Sequence, residues 1–301
     1  MAGKITILDG GMGRELQRIG APFRQPEWSA LALIEAPEFV LRAHGAFVAA
    51  QADVITANSY AVVPFHVGEE RFWAQGRELA ERAGRLARQA ADAGRERSVK
   101  VAGSIPPLFG SYRPDLFDEG RAPALLEVLV GGLSPHVDHW LAETQSSLTE
   151  VKAVGKALEG EGKPLWFSFT LEDEAGDAAA SPRLRSGEPV AAAATLAAEL
   201  GAAALLFNCS QPEVMGPAIR TARETFSRLG APLAIGVYAN AFPPQPKDAT
   251  ANDGLDELRG DLTPPAYLEW AKRWVEEGAT IVGGCCGIGP DHIARLAQAL
   301  S

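Results

Sequence analysis

Three cysteines stand where their thiols could act together. Cys285 and Cys286 are adjacent within the glycine-rich stretch GGCCG (283–287), and Cys209 ends the apolar run LLFNC (205–209). Adjacent cysteines form only a strained disulfide ring, because the backbone opposes the preferred dihedral angle, but together they can bind one metal ion. Thiolates select zinc, and a catalytic zinc site keeps its fourth position open for substrate. Cys209, Cys285 and Cys286 therefore predict a catalytic Zn²⁺ site.

Other interpretations of the cysteines stay open at the level of sequence. Free cysteines can be buried simply as small hydrophobic side chains. His292, in the predicted helix GPDHIARLAQAL (289–300), could complete a closed structural zinc site, and the vicinal pair could carry thiol redox chemistry. The catalytic zinc site is favoured because the cysteines end predicted strands and the surrounding glycines let the backbone turn sharply.

A second cluster lies in ILDGGMGREL (7–16), where Asp9, Gly10 and Gly11 follow a predicted strand. The dinucleotide-binding fingerprint requires a third glycine, and Leu16 occupies that position, so a dinucleotide site is excluded. Bare backbone N–H groups on a glycine turn can bind a carboxylate, and the carboxylate of Asp9 can accept from an ammonium group. The stretch predicts a site for an α-amino acid, with a purely structural tight turn as the alternative.

Four further polar residues are candidate substrate-binding residues. Glu143 ends a predicted strand and could complete the ammonium site with Asp9; the alternative is a solvated residue near a helix start. Asn58 and Asn208 also close predicted strands and could orient a substrate by hydrogen bonds, and Tyr60 lies in a loop just beyond Asn58.

The elements that must position these residues are βα units, because short apolar runs alternate with helical periodicity. We predict one α/β domain over residues 1–301, a single (β/α)₈ TIM barrel, with helix 72–94 on its outside. Loops 171–190 and 242–262 follow strands, so they should lie at the carboxyl-terminal face. The candidate strands, of which 137–143 could also be a helix end, are 5–10, 53–58, 99–104, 137–143, 164–170, 203–209, 233–239 and 279–285.

Composition limits the class of partner. The 301 residues are 47% hydrophobic, and 28 basic against 38 acidic residues give a formal net charge of −10. Scattered basic residues argue against nucleic acid or a membrane surface as partner, which leaves small-molecule substrates. No apolar run approaches the ~18 residues of a membrane span, and the N-terminus has no signal-peptide pattern, so we expect a cytoplasmic protein with free thiols.

The chain resembles the homocysteine S-methyltransferase family along almost its whole length. The resemblance rests on the segments ILDGGMG, QPEWSALALIEAPEFVLRAH, ADVITANSY, VAGSIPP, ETQSSLTEVKA, LLFNCS and GGCCGIGPDHI. It implies a zinc-dependent barrel that methylates the sulfur of homocysteine to give methionine. It also implies that the three cysteines are zinc ligands and that Asp9, Gly10, Gly11 and Glu143 bind the amino acid.

The resemblance implies a donor with a sulfonium or quaternary ammonium methyl group. S-methylmethionine fits the short chain best, and Thr144 replaces the aromatic residue that follows the glutamate in betaine-using relatives. Betaine, S-adenosylmethionine or a non-catalytic zinc- or amino-acid-binding barrel are the alternatives. The chain departs from the family where CCGIGP puts Ile288 and Gly289 in place of two hydroxyl residues, and where YAN replaces YPN at 238–240.

Overall fold

The computed structural model of the chain describes residues 4–94, 97–173, 181–245, 254 and 257–301. The strands are β1 (Thr6–Ile7), β2 (Val54–Thr56), β3 (Lys100–Ile105), β4 (His139–Gln145), β5 (Leu165–Phe169), β6 (Ala204–Asn208), β7 (Ala234–Tyr238) and β8 (Ile281–Val282). The α-helices are α1 (Met12–Arg18), α2 (Ser29–Glu35), α3 (Pro37–Ala49), α4 (Pro64–Val67), α5 (Glu69–Ala93), α6 (Ala122–Leu133), α7 (Leu148–Ala157), α8 (Val190–Glu199), α9 (Pro212–Leu229), α10 (Pro264–Glu277) and α11 (Pro290–Leu300). Short 3₁₀ helices lie at Pro114–Leu116 and Ser134–His136.

The strands form one parallel sheet that curls into a barrel. Its order is β1-β8-β7-β6-β5-β4-β3-β2, with β1 paired to β8. A parallel bridge between Leu8 and Val54 joins the two remaining edges, helped by a 3.0 Å hydrogen bond from the N–H of Asp9 to the carbonyl of Val54. The predicted (β/α)₈ barrel is confirmed, and the ambiguous segment 137–143 contributes strand β4 rather than a helix end.

Burial on both faces explains why the strands read as apolar runs. The outer faces pack under the helices, and α5, which covers the predicted 72–94, turns Leu79, Ala83 and Leu86 inward. A second, smaller cluster fills the barrel interior, including Leu141, Leu206 and Tyr238. The carboxyl ends of parallel strands meet at one rim, so residues that end different strands come together there.

Two loops predicted at this rim are described only in part. Residues 174–180 of loop 171–190, and residues 246–253 and 255–256 of loop 242–262, lie outside the described residues. Across the part of the chain that is described, no helix combines the length and apolar character needed to cross a membrane.

Candidate active site

The three cysteines meet at the carboxyl-terminal rim of the barrel. Cys209 follows β6, and Cys285 and Cys286 follow β8, so that all three sulfur atoms lie within 4.8 Å of one another. The thiols are free, and the Sγ atoms of Cys209 and Cys285 are 2.6 Å apart. Cys209 adopts a left-handed backbone conformation with φ of 50°, which turns the chain as the strand ends. The sequence-based prediction that these thiols converge is thus realised in the fold.

Glycines allow the cysteine loop to pack directly against the turn that follows β1. A Cβ atom on Gly11 would lie 2.5 Å from the carbonyl oxygen of Cys285, and one on Gly284 would lie 2.1 Å from Cγ2 of Ile288. The N–H of Gly11 also donates a 2.9 Å hydrogen bond to the carbonyl of Ile288. A Cβ on Gly11 would force the two segments apart, and one on Gly284 would displace Ile288 within the cysteine loop, because real Cβ atoms do not approach other atoms so closely.

The ionisation of the thiols fits a site for a divalent metal. Hydrogen bonds from Cys209 and Cys285 hold the pKa of Cys286 well below its ordinary value. The pKa of Cys285 is raised well above the usual range, first by its contact with Cys209, then by its contact with Cys286 and by burial. Thiols packed in contact, as these are, cannot all be anionic without a cation beside them, and thiolate is the ligand that zinc prefers. The donor set therefore fits Zn²⁺.

His292 stands apart from the thiols. Its Nε2 lies 2.9 Å from the carbonyl oxygen of Leu262, and its Nδ1 accepts from the N–H of Gly289. The group of potential metal ligands found among the described residues consists of the three cysteines, without a histidine or carboxylate. A closed zinc site completed by His292 is not the arrangement of this structure, and the three cysteines line a cavity instead.

A cavity of about 200 Å³ opens beside the thiols. Its wall includes the predicted substrate-binding residues Asp9, Gly10, Gly11, Asn58, Tyr60 and Glu143 together with all three cysteines. Asn208 is the exception: it is fully buried behind the wall, and its side chain bonds to Thr144 and Ser168. Because its amide is already paired, Asn208 does not contact the contents of the cavity.

Asp9 brings a buried carboxyl group to this cavity, and Glu143 brings a half-buried one. Asp9 accepts hydrogen bonds from the N–H of Thr56 at 2.7 Å and from its hydroxyl at 3.0 Å, and Glu143 accepts one from the Ser104 hydroxyl. Burial, as the main cause, raises the pKa of Asp9 to about 8 and that of Glu143 to about 7. No lysine or arginine is among the described residues of the cavity wall. The pair is therefore prepared to receive a positive group from a ligand.

Gly11 departs from the role expected of it. Sequence reasoning assigned its N–H to a substrate carboxylate, but that N–H is already bonded to the carbonyl of Ile288. The structure gives Gly11 a different importance, because the missing side chain admits the Cys285 backbone. The N–H of Gly11 cannot bind a substrate carboxylate because the carbonyl of Ile288 already accepts its hydrogen bond.

Three residues at or just behind the cavity wall, Thr56, Ser104 and Tyr238, were not predicted from sequence as site residues. The hydroxyl partners Thr56 and Ser104 lie at or near strand ends, a position that could have marked them. Tyr238 ends β7, and its buried hydroxyl forms no hydrogen bond of good geometry among the described residues. Trp28 and Tyr112, loop aromatics that could shape a cation-binding face, also line the cavity. Like Thr144 there, they have positive φ angles, for which a non-glycine sequence carries no signal.

The match to known proteins extends over this whole arrangement. The family profile described as homocysteine S-methyltransferase covers residues 6–300. The chain belongs to the homocysteine S-methyltransferase family. As a member of that family it is a methyltransferase, and the barrel, the rim cysteines and the paired carboxylates described above are its framework.

Relatives of this methyltransferase align from end to end. Homocysteine S-methyltransferase 1 of Brassica oleracea var. italica is 29% identical, with 99% of this chain and 94% of the relative covered. Homocysteine S-methyltransferase YbgG of Bacillus subtilis is 28% identical, with 97% and 93% covered. The metallated crystal structure of the homocysteine methyltransferase MmuM from Escherichia coli is 27% identical, with a TM-score of 0.77 over 98% of this chain and 96% of that one.

The positions where the sequence predicts departures from the family pattern, Ile288, Gly289 and Ala239, lie outside the described cavity wall. Ile288 is fully buried in the hydrophobic core and packs against Gly284, and Gly289 is the N-cap of α11. In the YAN segment, Ala239 is buried and its carbonyl accepts from the N–H of Cys285 at 2.9 Å, an interaction of the backbone alone. Ile288 and Ala239 therefore support the cysteine loop from outside the cavity wall.

Proposed function

We propose that this methyltransferase moves a methyl group from a sulfonium donor, S-methylmethionine in first place, to the thiolate of homocysteine, giving methionine. The observation that carries the proposal is one cavity that joins three convergent thiols to two carboxyl groups. Thiol ligands suit Zn²⁺, and a carboxylate pair suits the ammonium of an amino acid, so the cavity holds what a thiol-bearing amino acid requires.

Cys209, Cys285 and Cys286 would hold the Zn²⁺ ion. When bound there, the ion supplies a Lewis acid that lowers the pKa of the acceptor thiol and keeps it as a thiolate at neutral pH. The metallated form of the relative MmuM supports this assignment. Free cysteines also suit the reducing cytoplasm that the sequence predicts for this chain.

Asp9 and Glu143 would bind the ammonium group of homocysteine. Their carboxyl groups face the same cavity and have hydroxyl partners rather than cationic ones, so an incoming ammonium supplies the missing positive charge. The Tyr238 hydroxyl is available as a further donor to the substrate, because it is buried at the wall without a good partner. These contacts would orient the sulfur for in-line attack, which is where positioning contributes to rate.

The cavity favours a donor that carries net positive charge. Trp28, Tyr60 and Tyr112 contribute aromatic groups to the wall, and aromatic faces attract a sulfonium or ammonium cation. Betaine carries no net charge, because its carboxylate balances its ammonium, whereas S-methylmethionine carries one net positive charge, and the described wall has no lysine or arginine to oppose a cation. Attack on a sulfonium methyl releases a neutral thioether, so the donor half of the site needs no general acid.

Donor competition tests the proposal. Zinc-loaded enzyme is incubated with homocysteine and, separately, with S-methylmethionine, S-adenosylmethionine or betaine, and methionine is quantified. We expect the largest kcat/KM with S-methylmethionine, by about tenfold or more over betaine, as one lost charge contact in a buried site would give. A higher kcat/KM with betaine would overturn the donor assignment, and no methionine from any donor would overturn the function.

A further inference from the structure

Strand β4 contains a local irregularity at Glu143. The pairing of β4 with β5 shifts register between Ala142 and Gln145, so one strand carries an extra residue there. Thr144, inside this bulge, has a φ of 58°. Bulges beside active sites redirect side chains, and both Glu143 and Thr144 line the cavity.

This backbone conformation is unfavourable for threonine. The left-handed region brings Cβ of an ordinary residue against its own backbone, and a branched Cβ makes the crowding worse. Such a conformation persists only where the surroundings hold it in place. Something in the fold must therefore secure the bulge at Thr144.

Asn208 secures it by two hydrogen bonds from β6. Its Oδ1 accepts from the N–H of Thr144 at 3.0 Å, and its Nδ2 donates to the Thr144 hydroxyl at 2.8 Å. Strand β5 lies between β4 and β6, and from it the Ser168 hydroxyl donates to Oδ1 of Asn208 at 2.7 Å. The amide is fully buried, so these bonds are shielded from competition by water.

We propose that Asn208 is a positioning residue that holds the β4 bulge and thereby aims the Glu143 carboxylate at the ammonium group of homocysteine. The inference rests on the proposed function, because it concerns the acceptor half of that site. Asn208 acts through Thr144 and does not touch the substrate. It also immediately precedes Cys209, so one residue ties the acidic half of the site to the strand that carries a thiol.

Asn208→Ala removes both bonds to Thr144 and is compared with Glu143→Gln. For Asn208→Ala we expect one zinc per chain as in the wild type, a kcat within about threefold, and a KM for homocysteine about 10- to 100-fold higher, the scale of losing a buried hydrogen-bond partner. In the Asn208→Ala/Glu143→Gln double variant, the second substitution should raise the homocysteine KM by less than a further threefold, because both residues serve the same contact with the substrate. A KM unchanged by Asn208→Ala, or fully multiplicative effects, would overturn the proposal.

A rescue variant separates positioning from a general loss of structure. Glycine adopts positive φ without cost, so Thr144→Gly in the Asn208→Ala background should lower the homocysteine KM at least threefold. A purely structural role for Asn208 predicts no such recovery. If the Asn208→Ala/Thr144→Gly variant folds and binds zinc but its homocysteine KM does not fall, Asn208 does not act by holding the bulge at Thr144.

A milder variant keeps the test open if Asn208→Ala does not fold. Thr144→Val removes only the hydroxyl that accepts from Nδ2 of Asn208, and it should raise the KM with zinc content retained. A KM equal to that of the wild type would again overturn the proposal. Wild-type turnover with homocysteine is measured alongside: its absence refutes the proposed function, whereas normal turnover with unaffected variants refutes only the role of Asn208.

Discussion

The two sides of the cavity are built on different principles. On the sulfur side, the thiols of Cys285 and Cys286 are placed by the backbone. Glycine at position 11 lets the Cys285 backbone pack closely, and main-chain hydrogen bonds join the segments that follow β1, β7 and β8. On the carboxylate side, Asp9 and Glu143 are placed by side-chain hydrogen bonds from Thr56 and Ser104. The sulfur side leaves no room for an added side-chain atom, whereas a carboxylate on the other side can lose one hydrogen-bond partner and keep its place in the fold.

This difference predicts that the two sides of the site respond differently to substitution. A side chain added on the sulfur side must displace backbone, which is shared by many contacts. A group removed on the carboxylate side weakens one ligand contact and leaves the scaffold standing. Changes on the sulfur side should therefore abolish metal binding and activity together, whereas changes on the carboxylate side should alter substrate affinity and pH dependence.

The largest effect is expected for Cys286→Ser on the sulfur side. Serine removes one thiolate from the predicted ligand set, and a hydroxyl is a poor ligand for zinc at neutral pH. We expect zinc content by mass spectrometry to fall below half an ion per chain and methionine formation to fall by at least about a thousandfold, as when the activating group of a nucleophile is lost. Full zinc content with normal turnover would remove the thiols from the mechanism.

Gly11→Ala should come next in size. The new Cβ would lie 2.5 Å from the Cys285 carbonyl oxygen and 3.0 Å from Cα of Cys286, and both atoms belong to the backbone. We expect the free energy of unfolding to fall by about 1–3 kcal/mol, the usual cost of overpacking, together with weaker zinc binding.

Gly45→Ala is the matched control for that substitution. Gly45 lies in α3, and a Cβ there would meet nothing within 4 Å. Alanine in a helix is worth up to about 1 kcal/mol over glycine, so this variant should keep its zinc and be at least as stable as the wild type. Equal stability of the Gly11 and Gly45 variants in chemical denaturation would contradict the crowded packing of the cysteine loop.

The smallest effect on zinc binding is expected on the carboxylate side, where the prediction is a pH dependence of stability. Burial raises the pKa of Asp9 to about 8 and that of Glu143 to about 7, so the folded metal-free protein holds protons that the unfolded chain releases above about pH 4–5. Stability from these groups is present at low pH and is lost as pH rises through the folded pKa values. The free energy of unfolding should fall between pH 5 and 8 by up to about 1.4 kcal/mol per pH unit for each proton.

Asp9→Asn should flatten this pH profile, because the amide does not titrate. Chemical denaturation of the metal-free wild type and variant across the pH range measures the slope directly. The Asp9→Asn variant should still bind zinc, since the cluster of potential ligands consists of the three cysteines. Identical slopes in the two proteins would show that Asp9 is ionised in the folded state throughout.

The sequence predicts the barrel well because its signal is repeated. Alternating apolar runs and helical patterns identify the barrel strands in order, and parallel pairing then brings every strand end to one rim. Cys209 and the Cys285–Cys286 pair could be grouped from that topology alone. The departure at Ile288 was visible in the sequence, but its meaning was not, because only the fold places this side chain in the core beneath the cavity.

The details of the site depend on register, which the sequence does not display. Thr56 reaches Asp9 across 47 positions, and Asn208 reaches Thr144 across 64, so neither pair leaves a local pattern. The same reason explains Gly11, whose N–H was predicted to be free and instead meets the Ile288 carbonyl. Residue types at strand ends predict which chemistry is present, and interstrand contacts decide which atoms remain available for it.

The seam between β1 and β8 has a consequence for how the protein is made. The turn at Gly11 and the loop at Cys285 lie at opposite ends of the sequence, and each occupies the space that the other leaves. During synthesis on the ribosome, β1 and the thiol of Cys209 emerge long before the last two thiols exist. The zinc ion proposed for this site would therefore bind only late in synthesis, after the last strand has paired with the first.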